Sequence, residues 1–258
     1  MQHEFGGTVR LYSKLGVKRL SESTVTVIGV GGVGSWVAEA LARSAVGHIV
    51  LIDMDDICIT NTNRQIHTLS NTVGQLKVEA MAERIKSINN QCKVTSVVDF
   101  VNKGNVGDLL ANSPDYVVDA IDNARVKAAI IKHCKRNKLK IITIGGAGAQ
   151  IDPLKIQVGD LSRTWQDPLS AKVRNELRRN HGFSKNPKRR FGIECVYSTE
   201  QLLYPNPDGT VGHQKTSGEV GGKLDCAQGL GAGVVVTATF GMVAASRVIN
   251  WLVNQESK

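Results

Sequence analysis

Thr24-Val25-Thr26-Val27-Ile28-Gly29-Val30-Gly31-Gly32-Val33-Gly34 is the stretch on which the reading of this chain turns. Its first five residues are apolar or β-branched, the pattern of a strand buried on both faces. Glycines at 29, 31, 32 and 34 follow at once, and Trp36, Val37, Ala40 and Leu41 then recur at helical spacing. A second apolar run, 47–52, ends on Asp53. Strand, glycine turn, helix, strand and acid make a β-α-β unit. Its glycines let the backbone turn tightly and approach a pyrophosphate lying at a helix N-terminus. Asp53 stands where such units hold a ribose hydroxyl. The pattern implies a nucleotide, with NAD as the default occupant. A tight turn with nothing bound is the alternative.

The residues after Asp53 do not suit a dehydrogenase. Asp53-Met54-Asp55-Asp56 leads to Asn61-Thr62-Asn63-Arg64-Gln65, and Val73-Gly74-Gln75-Leu76-Lys77 opens a helix. Asn61, Arg64 and Lys77 therefore bring polar and cationic groups toward a nucleotide's phosphates. A diphosphate already held by a helix end needs little more. A triphosphate attacked at its α-phosphorus must shed pyrophosphate, and fixed cations stabilise that charge. Taken singly, Arg64 and Lys77 also read as solvated surface cations.

Several further motifs carry a family resemblance. Gly29-Val30-Gly31-Gly32-Val33-Gly34, Asp53-Met54-Asp55, Asn61 to Gln65, Val73 to Lys77 and Asp119-Ala120-Ile121-Asp122-Asn123 resemble the ubiquitin-activating-enzyme-like adenylyltransferases. That superfamily includes the enzymes that activate sulfur carriers. Phe5-Gly6-Gly7-Thr8-Val9-Arg10-Leu11-Tyr12, Asn61 to His67, Gly145-Gly146-Ala147-Gly148, Gln150-Ile151-Asp152-Pro153 and Asp225-Cys226-Ala227 are similar to one branch, the tRNA threonylcarbamoyladenosine dehydratases. The resemblance runs over nearly the whole chain.

The resemblance implies an α/β fold, with a Rossmann-like doubly wound sheet of parallel strands continued by an antiparallel extension. It implies ATP and Mg²⁺ as cofactors, with a monovalent cation as an optional further ligand. Gly29, Gly31, Gly32 and Gly34 would face the phosphates. Asp53, Asp55 and Asn61 would bind the nucleotide. Arg64 and Lys77 would stabilise phosphate charge. Asp122 matches the magnesium-binding aspartate; its alternative is an N-cap for the helix that begins at Asn123. Arg10 matches an arginine that reaches the partner's nucleotide across a two-fold homodimer; its alternative is a solvated helix charge.

Composition bounds the rest. The 258 residues suffice for one large α/β domain. The expected division is a nucleotide-binding core at about 20–150, a substrate-side extension at about 151–228 and a C-terminal helix at about 229–253. Met1 to Glu4 is polar, so no signal peptide is expected and a cytoplasmic location is. Five scattered cysteines, Cys58, Cys92, Cys134, Cys195 and Cys226, are expected to be reduced. No Cys-x-x-Cys pair occurs, so the structural zinc of many sulfur-carrier adenylyltransferases is not expected. By the same resemblance Cys195 and Cys226 are candidates for a thioester, although a free cysteine is more often packing. Cys58, close to the nucleotide stretch, reads as packing as well.

The formal charge is +9, more than a small-molecule enzyme needs and suited to a polyanionic partner. Between Lys172 and Arg190 eight cations (Lys172, Arg174, Arg178, Arg179, Lys185, Lys188, Arg189 and Arg190) stand against one acid, Glu176. Phe183 and Phe191 lie within or beside them, a composition that favours a nucleic-acid surface over a merely solvated helix.

Helices are expected at 8–20, 72–88, 124–137 and from Pro168. Strands are expected at 93–100, 115–119, 140–144, 155–158 and 195–199, and a long loop at 205–222. The apolar tail at 229–253 is long enough to suggest a membrane span, yet its Thr237, Thr239 and glycines favour a buried or interface helix.

The reading is ATP-dependent dehydration of N6-threonylcarbamoyladenosine at position 37 of tRNA through a carboxyl-adenylate, with the anticodon arm on the basic region 172–190. The rivals are a sulfur-carrier-protein adenylyltransferase, an NAD-dependent oxidoreductase, and an ATP-binding partner of a cysteine desulfurase system.

Overall fold

The computed structural model describes residues 4–214 and 230–255. The end of the expected 205–222 loop and the Asp225-Cys226-Ala227 motif lie outside the described residues.

Helix α1 (Gly6–Glu22) leads into strand β1 (Thr24–Ile28), helix α2 (Gly34–Arg43) and strand β2 (His48–Ile52). Helix α3 (Lys77–Ile88), strand β3 (Lys93–Val97), the short helix α4 (Val106–Leu109) and strand β4 (Tyr116–Asp119) follow. Helix α5 (Ala124–Arg136), strand β5 (Ile141–Ile144), strand β6 (Ile156–Asp160), helix α6 (Pro168–Asn180) and strand β7 (Glu194–Ser198) come next. A hairpin of β8 (Tyr204–Pro205) and β9 (Val211–Gly212) precedes the last described helix, α7 (Val234–Val253).

The main sheet has seven strands in the order β3-β2-β1-β4-β5-β7-β6. Every neighbouring pair is parallel except β6 with β7. The antiparallel extension is therefore a single edge strand, running Ile156 opposite Ser198. Alternate residues of the central strands feed two cores. Val25, Val27, Ile49, Leu51 and Val118 meet α2, α3 and α7 on one face. Ile28, Val50, Ile52 and Val117 meet α5 and α6 on the other. Burial on both faces is why these strands read as continuous apolar runs.

Three element assignments change. The helix expected at 72–88 begins only at Lys77. Residues 72–76 are turn, held by Gly74 at φ 88° and by the Gly74 N–H donating to Ile57 O at 2.9 Å. Helix α1 is interrupted at Ser13 (φ 68°), whose Oγ accepts from the Gly16 N–H at 3.2 Å and so caps the second half. The described part of the 205–222 loop opens with the β8–β9 hairpin, closed by Asp208 and Gly209.

Helix α7 is long and apolar enough to cross a membrane by length and composition. In the fold it buries Phe240, Ala244, Ala245, Val248, Ile249 and Leu252 in the core shared with α2. The close approach depends on Gly241: a Cβ there would stand 2.7 Å from Trp36 Cβ and 2.8 Å from Val33 O.

Two buried carboxylates tie helices to the frame through ion pairs. Glu39 on α2, 3% exposed, accepts from Arg43 Nε and from Arg84 Nε of α3 at 2.8 and 2.7 Å. Asp119, at the end of β4, meets Lys127 Nζ of α5 at 3.0 Å, their side chains 0% and 2% exposed. Thr143 Oγ1 donates to the other Asp119 oxygen at 2.7 Å. Removing one partner of such a pair strands the other as an uncompensated charge. Lys127→Met should therefore cost about 3–5 kcal/mol of unfolding free energy, read by urea denaturation. A loss no larger than that of an exposed pair, below about 1 kcal/mol, would contradict this role.

Candidate nucleotide-binding site

The chain passes from β3 on one side of β1 to β4 on the other, so the strand order reverses between β1 and β4. Ligands of open parallel sheets bind outside the carboxyl ends of the strands at such a point. The glycine turn 29–34 leaves β1 there, Asp53 follows β2, and 120–123 follows β4.

Each glycine of the turn has its own steric reason. Gly29 has φ 86°, and a Cβ on it would lie 2.9 Å from Ile121 Cγ2. On Gly34 a Cβ would fall 1.8 Å from Gly29 O, so helix α2 can begin only on a glycine. Gly31 faces the Gln65 amide, with Nε2 at 3.9 Å from a built Cβ. Gly32 lies under the Arg64 side chain, whose Cγ and Cδ would be 3.2 and 3.3 Å from a Cβ. Gly29 and Gly34 thus close the backbone, while Gly32 makes room for the Arg64 side chain above it.

Asp53 braces this turn. Its Oδ2 accepts from the Val30 N–H at 2.6 Å and its Oδ1 from the Asp55 N–H at 2.9 Å. From the other side His67 Nε2 donates to Val30 O at 2.8 Å. His67 is buried, and that burial lowers its pKa below the usual value. The imidazole is therefore neutral and its Nε2 carries the proton.

The cations stand around the turn. Arg64 Nη1 donates to Thr60 O at 2.9 Å and Asn63 Oδ1 at 3.1 Å, and Trp36 Nε1 of α2 donates to Arg64 O at 3.0 Å. These bonds hold the guanidinium stem over Gly32. Lys77 opens α3, its side chain 8% exposed, and its Nζ meets Asp55 Oδ2 at 2.7 Å. Asp55 is exposed, so this ammonium has a partner a competing anion can displace.

Asn61, Asp122 and Arg10 have different surroundings. Asn61 is buried, and its Oδ1 accepts from the Cys58 N–H at 3.0 Å, closing a local turn. Asp122 is exposed and caps nothing: the N-cap of α5 is Asn123, whose Oδ1 accepts from Arg125 and Val126 N–H. Its alternative reading as a helix cap therefore falls. Arg10 is exposed on α1 beside Gly6 and Gly7 and is not brought to the glycine turn within this chain.

Residues without a motif complete the site. Lys127 Nζ donates to Asp119 O at 3.2 Å and Ile121 O at 2.9 Å, which fixes the 120–123 segment that presents Asp122. Only its place on the buried stripe of α5 marks it in the sequence. Asp167 Oδ2 accepts from the Gly146 N–H at 3.0 Å, and Gly145 is glycine because a Cβ would lie 1.7 Å from the same oxygen.

The basic run divides between core and surface. Lys172, Arg179, Lys185, Lys188, Arg189 and Arg190 are exposed. Arg174 turns inward, with Nη1 donating to Thr164 Oγ1, and burial lowers its pKa. The interleaved aromatics are not stacking platforms. Phe191 is 2% exposed and meets Phe183 edge-on, centroids 5.0 Å apart, with Arg178 and Lys135 over the two rings. They hold the basic loop against the core. Helix α6 is about 20 Å long at 1.5 Å per residue; Lys172 and Arg179 lie on it, and the other four exposed cations lie in the loop that follows.

The cysteine expected as a thioester candidate at 195 is sealed in. Cys195 is 0% exposed, and burial pushes its thiol up to about 12. Cys226 lies outside the described residues.

The model of the ThiF family matches residues 7–258. The tRNA threonylcarbamoyladenosine dehydratase of Escherichia coli (strain K12) is 53% identical over 248 residues, covering 96% of this chain and 92% of that protein. The enzyme of the same name from Haemophilus influenzae is 51% identical over 257 residues, covering 99% and 95%. A crystal structure of the E. coli tRNA N6-threonylcarbamoyladenosine dehydratase in complex with ATP superposes with a TM-score of 0.87 at 49% identity, covering 97% of this chain and 94% of that one. The chain belongs to the ThiF family, and within it to the tRNA threonylcarbamoyladenosine dehydratases.

Proposed function

We propose that this protein uses ATP to dehydrate N6-threonylcarbamoyladenosine in tRNA to its cyclic form. The observation that carries the reading is the glycine turn roofed by Arg64, flanked by Lys77 and braced by Asp53, in a chain of this family. That is a triphosphate site built to release pyrophosphate rather than to hold a dinucleotide.

In the proposed reaction the threonyl carboxylate attacks the α-phosphorus of ATP, the bond to the β-phosphate breaks, and pyrophosphate leaves. Arg64 and Lys77 stabilise the charge that develops on the phosphates. Asp53 holds the turn through Oδ2 and retains lone pairs on both oxygens for the ribose hydroxyls. Asn61 fixes the segment that carries Arg64. A nucleophile within the threonylcarbamoyl group then attacks the activated carboxyl carbon, closes the ring and expels AMP. Being intramolecular, this step needs no protein thiol, in keeping with the sealed state of Cys195.

Mg²⁺ fits the same site. Asp122 is an exposed carboxylate beside the switch point, and among the described residues no hydrogen bond or ion pair engages it. Mg²⁺ is commonly held by one or two carboxylates and phosphate oxygens, and would supply charge neutralisation there.

A homodimer is part of the proposal. Leu11 and Leu15 on α1 and Val235 and Met242 on α7 are exposed apolar side chains on two packed helices. A second copy is proposed to cover them, with its Arg10 serving this chain's site as the family resemblance implies. The anticodon arm is assigned to the six exposed cations of 172–190, and the location to the cytoplasm. A cysteine desulfurase system remains a proposed partner without a surface feature of its own.

Pyrophosphate exchange into ATP should depend on tRNA bearing the modification, and Arg64→Ala should reduce it at least a hundredfold, the scale of a lost charge-stabilising group, with an unchanged melting temperature. Exchange at the wild-type rate in that variant would overturn the site. The double substitution of Arg189 and Arg190 by Ala should lower the slope of log affinity for tRNA against log salt by roughly 1.5–2; an unchanged slope would move the RNA elsewhere. Cys195→Ala should keep turnover within about threefold, as expected of a packing cysteine. Loss of all turnover in a folded variant would restore a thioester.

A further inference from the structure

A second concavity opens on the carboxyl side of the sheet, about 350 Å³ in volume, lined by Gln166, Arg174, Gln201, Leu202, Tyr204 and His213 among others. We infer that this concavity receives the purine of the substrate nucleotide, taken out of the RNA stack; the inference rests on the function proposed above.

The concavity lies off the carboxyl ends of β5 and β7, and β4, β5 and β7 are successive parallel neighbours. At about 4.8 Å per strand it stands roughly 10 Å from the switch point. A threonylcarbamoyl arm has four bonds between the purine N6 and the carboxyl carbon, about 5 Å. Adding half the width of a purine spans the gap. A base seated here therefore places its own arm's carboxylate beside the glycine turn.

The concavity is anchored to the same frame. Asp167, 3% exposed, lines it and holds the Gly146 N–H at the end of β5 and the Ser170 N–H at the start of α6. The hairpin wall hangs on the segment after β5, with the Leu203 N–H donating to Ala149 O at 2.9 Å. His213 Nδ1 donates to Leu202 O at 3.1 Å, which fixes the ring at the rim. Gln166 has φ 58°, a left-handed backbone for a non-glycine residue, of the kind retained where function requires it.

Unpaired bases are recognised by stacking on aromatic rings or guanidinium planes and by hydrogen bonds to their edges. Tyr204 and His213 supply rings, Arg174 supplies a guanidinium held in place by Thr164, and Gln166 and Gln201 supply amides that both donate and accept. Trp165, next to Gln166 in the chain, is 56% exposed. The Asp167 oxygens are already engaged by backbone N–H groups, so the concavity presents no unpaired acid among its described residues. An enzyme acting on a substituent of a base must bring that base out of the helix, and it needs a pocket for it.

The test uses the full-length protein and an anticodon stem-loop with 6-thioguanosine at position 37, irradiated at long wavelength, with crosslinked peptides identified by mass spectrometry. Crosslinks should fall on peptides containing Trp165, Gln166, Tyr204 or His213. Alongside, Gln201→Ala and Tyr204→Ala should each lower kcat/KM for modified tRNA at least tenfold, while the Kd for ATP and the melting temperature stay unchanged. Crosslinks confined to 185–190, or wild-type kcat/KM in both folded variants, would overturn the inference and leave the proposed function standing. A wild-type protein that adenylates a carrier protein's C-terminus and not the tRNA would overturn both.

Discussion

The site depends on a contact that only glycine allows. Helix α2 starts so close to the end of β1 that a side chain at Gly34 would overlap the carbonyl oxygen of Gly29. That approach aims the α2 N-terminus across the carboxyl edge of the sheet. Asp53 then holds the Val30 N–H from β2, and His67 holds the Val30 carbonyl from the Arg64 segment. Three separate parts of the chain thus share one turn, and the cations that serve the phosphates are positioned by it.

The other wall of the site is set by burial of charge. Lys127 and Asp119 are both withdrawn from water, an arrangement that contributes little net stability and fixes geometry instead. The ammonium also takes the carbonyls of Asp119 and Ile121, so the backbone leading to Asp122 has one available path. Asn123 begins α5 directly after it. Asp122 is thereby left exposed, available to a cation and phosphate, because its neighbour performs the capping.

The nucleotide half was legible because its physics is local. A buried parallel strand, a glycine turn and a strand-end acid each leave a short pattern, and β1, β2, α2 and Asp53 lie where the pattern puts them. Long-range pairing leaves none. Nothing in 156–160 says that it returns antiparallel to 194–198, and nothing in 204–212 says that two residues on either side of a turn will pair. The roles of similar side chains were equally hidden. Composition sees Phe183, Phe191 and Arg178 as part of a nucleic-acid surface, whereas packing sets them against one another and leaves six cations outside. Lys127 reads as one more basic residue of α5 until its burial beside Asp119 is seen.

The central claim is that a triphosphate site on this fold removes water from a modified base. The most direct measurement incubates the purified protein with MgATP and tRNA carrying N6-threonylcarbamoyladenosine, digests the RNA gently to nucleosides and weighs them. A nucleoside lighter by one water, formed only with ATP and accompanied by AMP, is the expected result. An unchanged nucleoside mass, with ATP consumed and the tRNA bound, would contradict it.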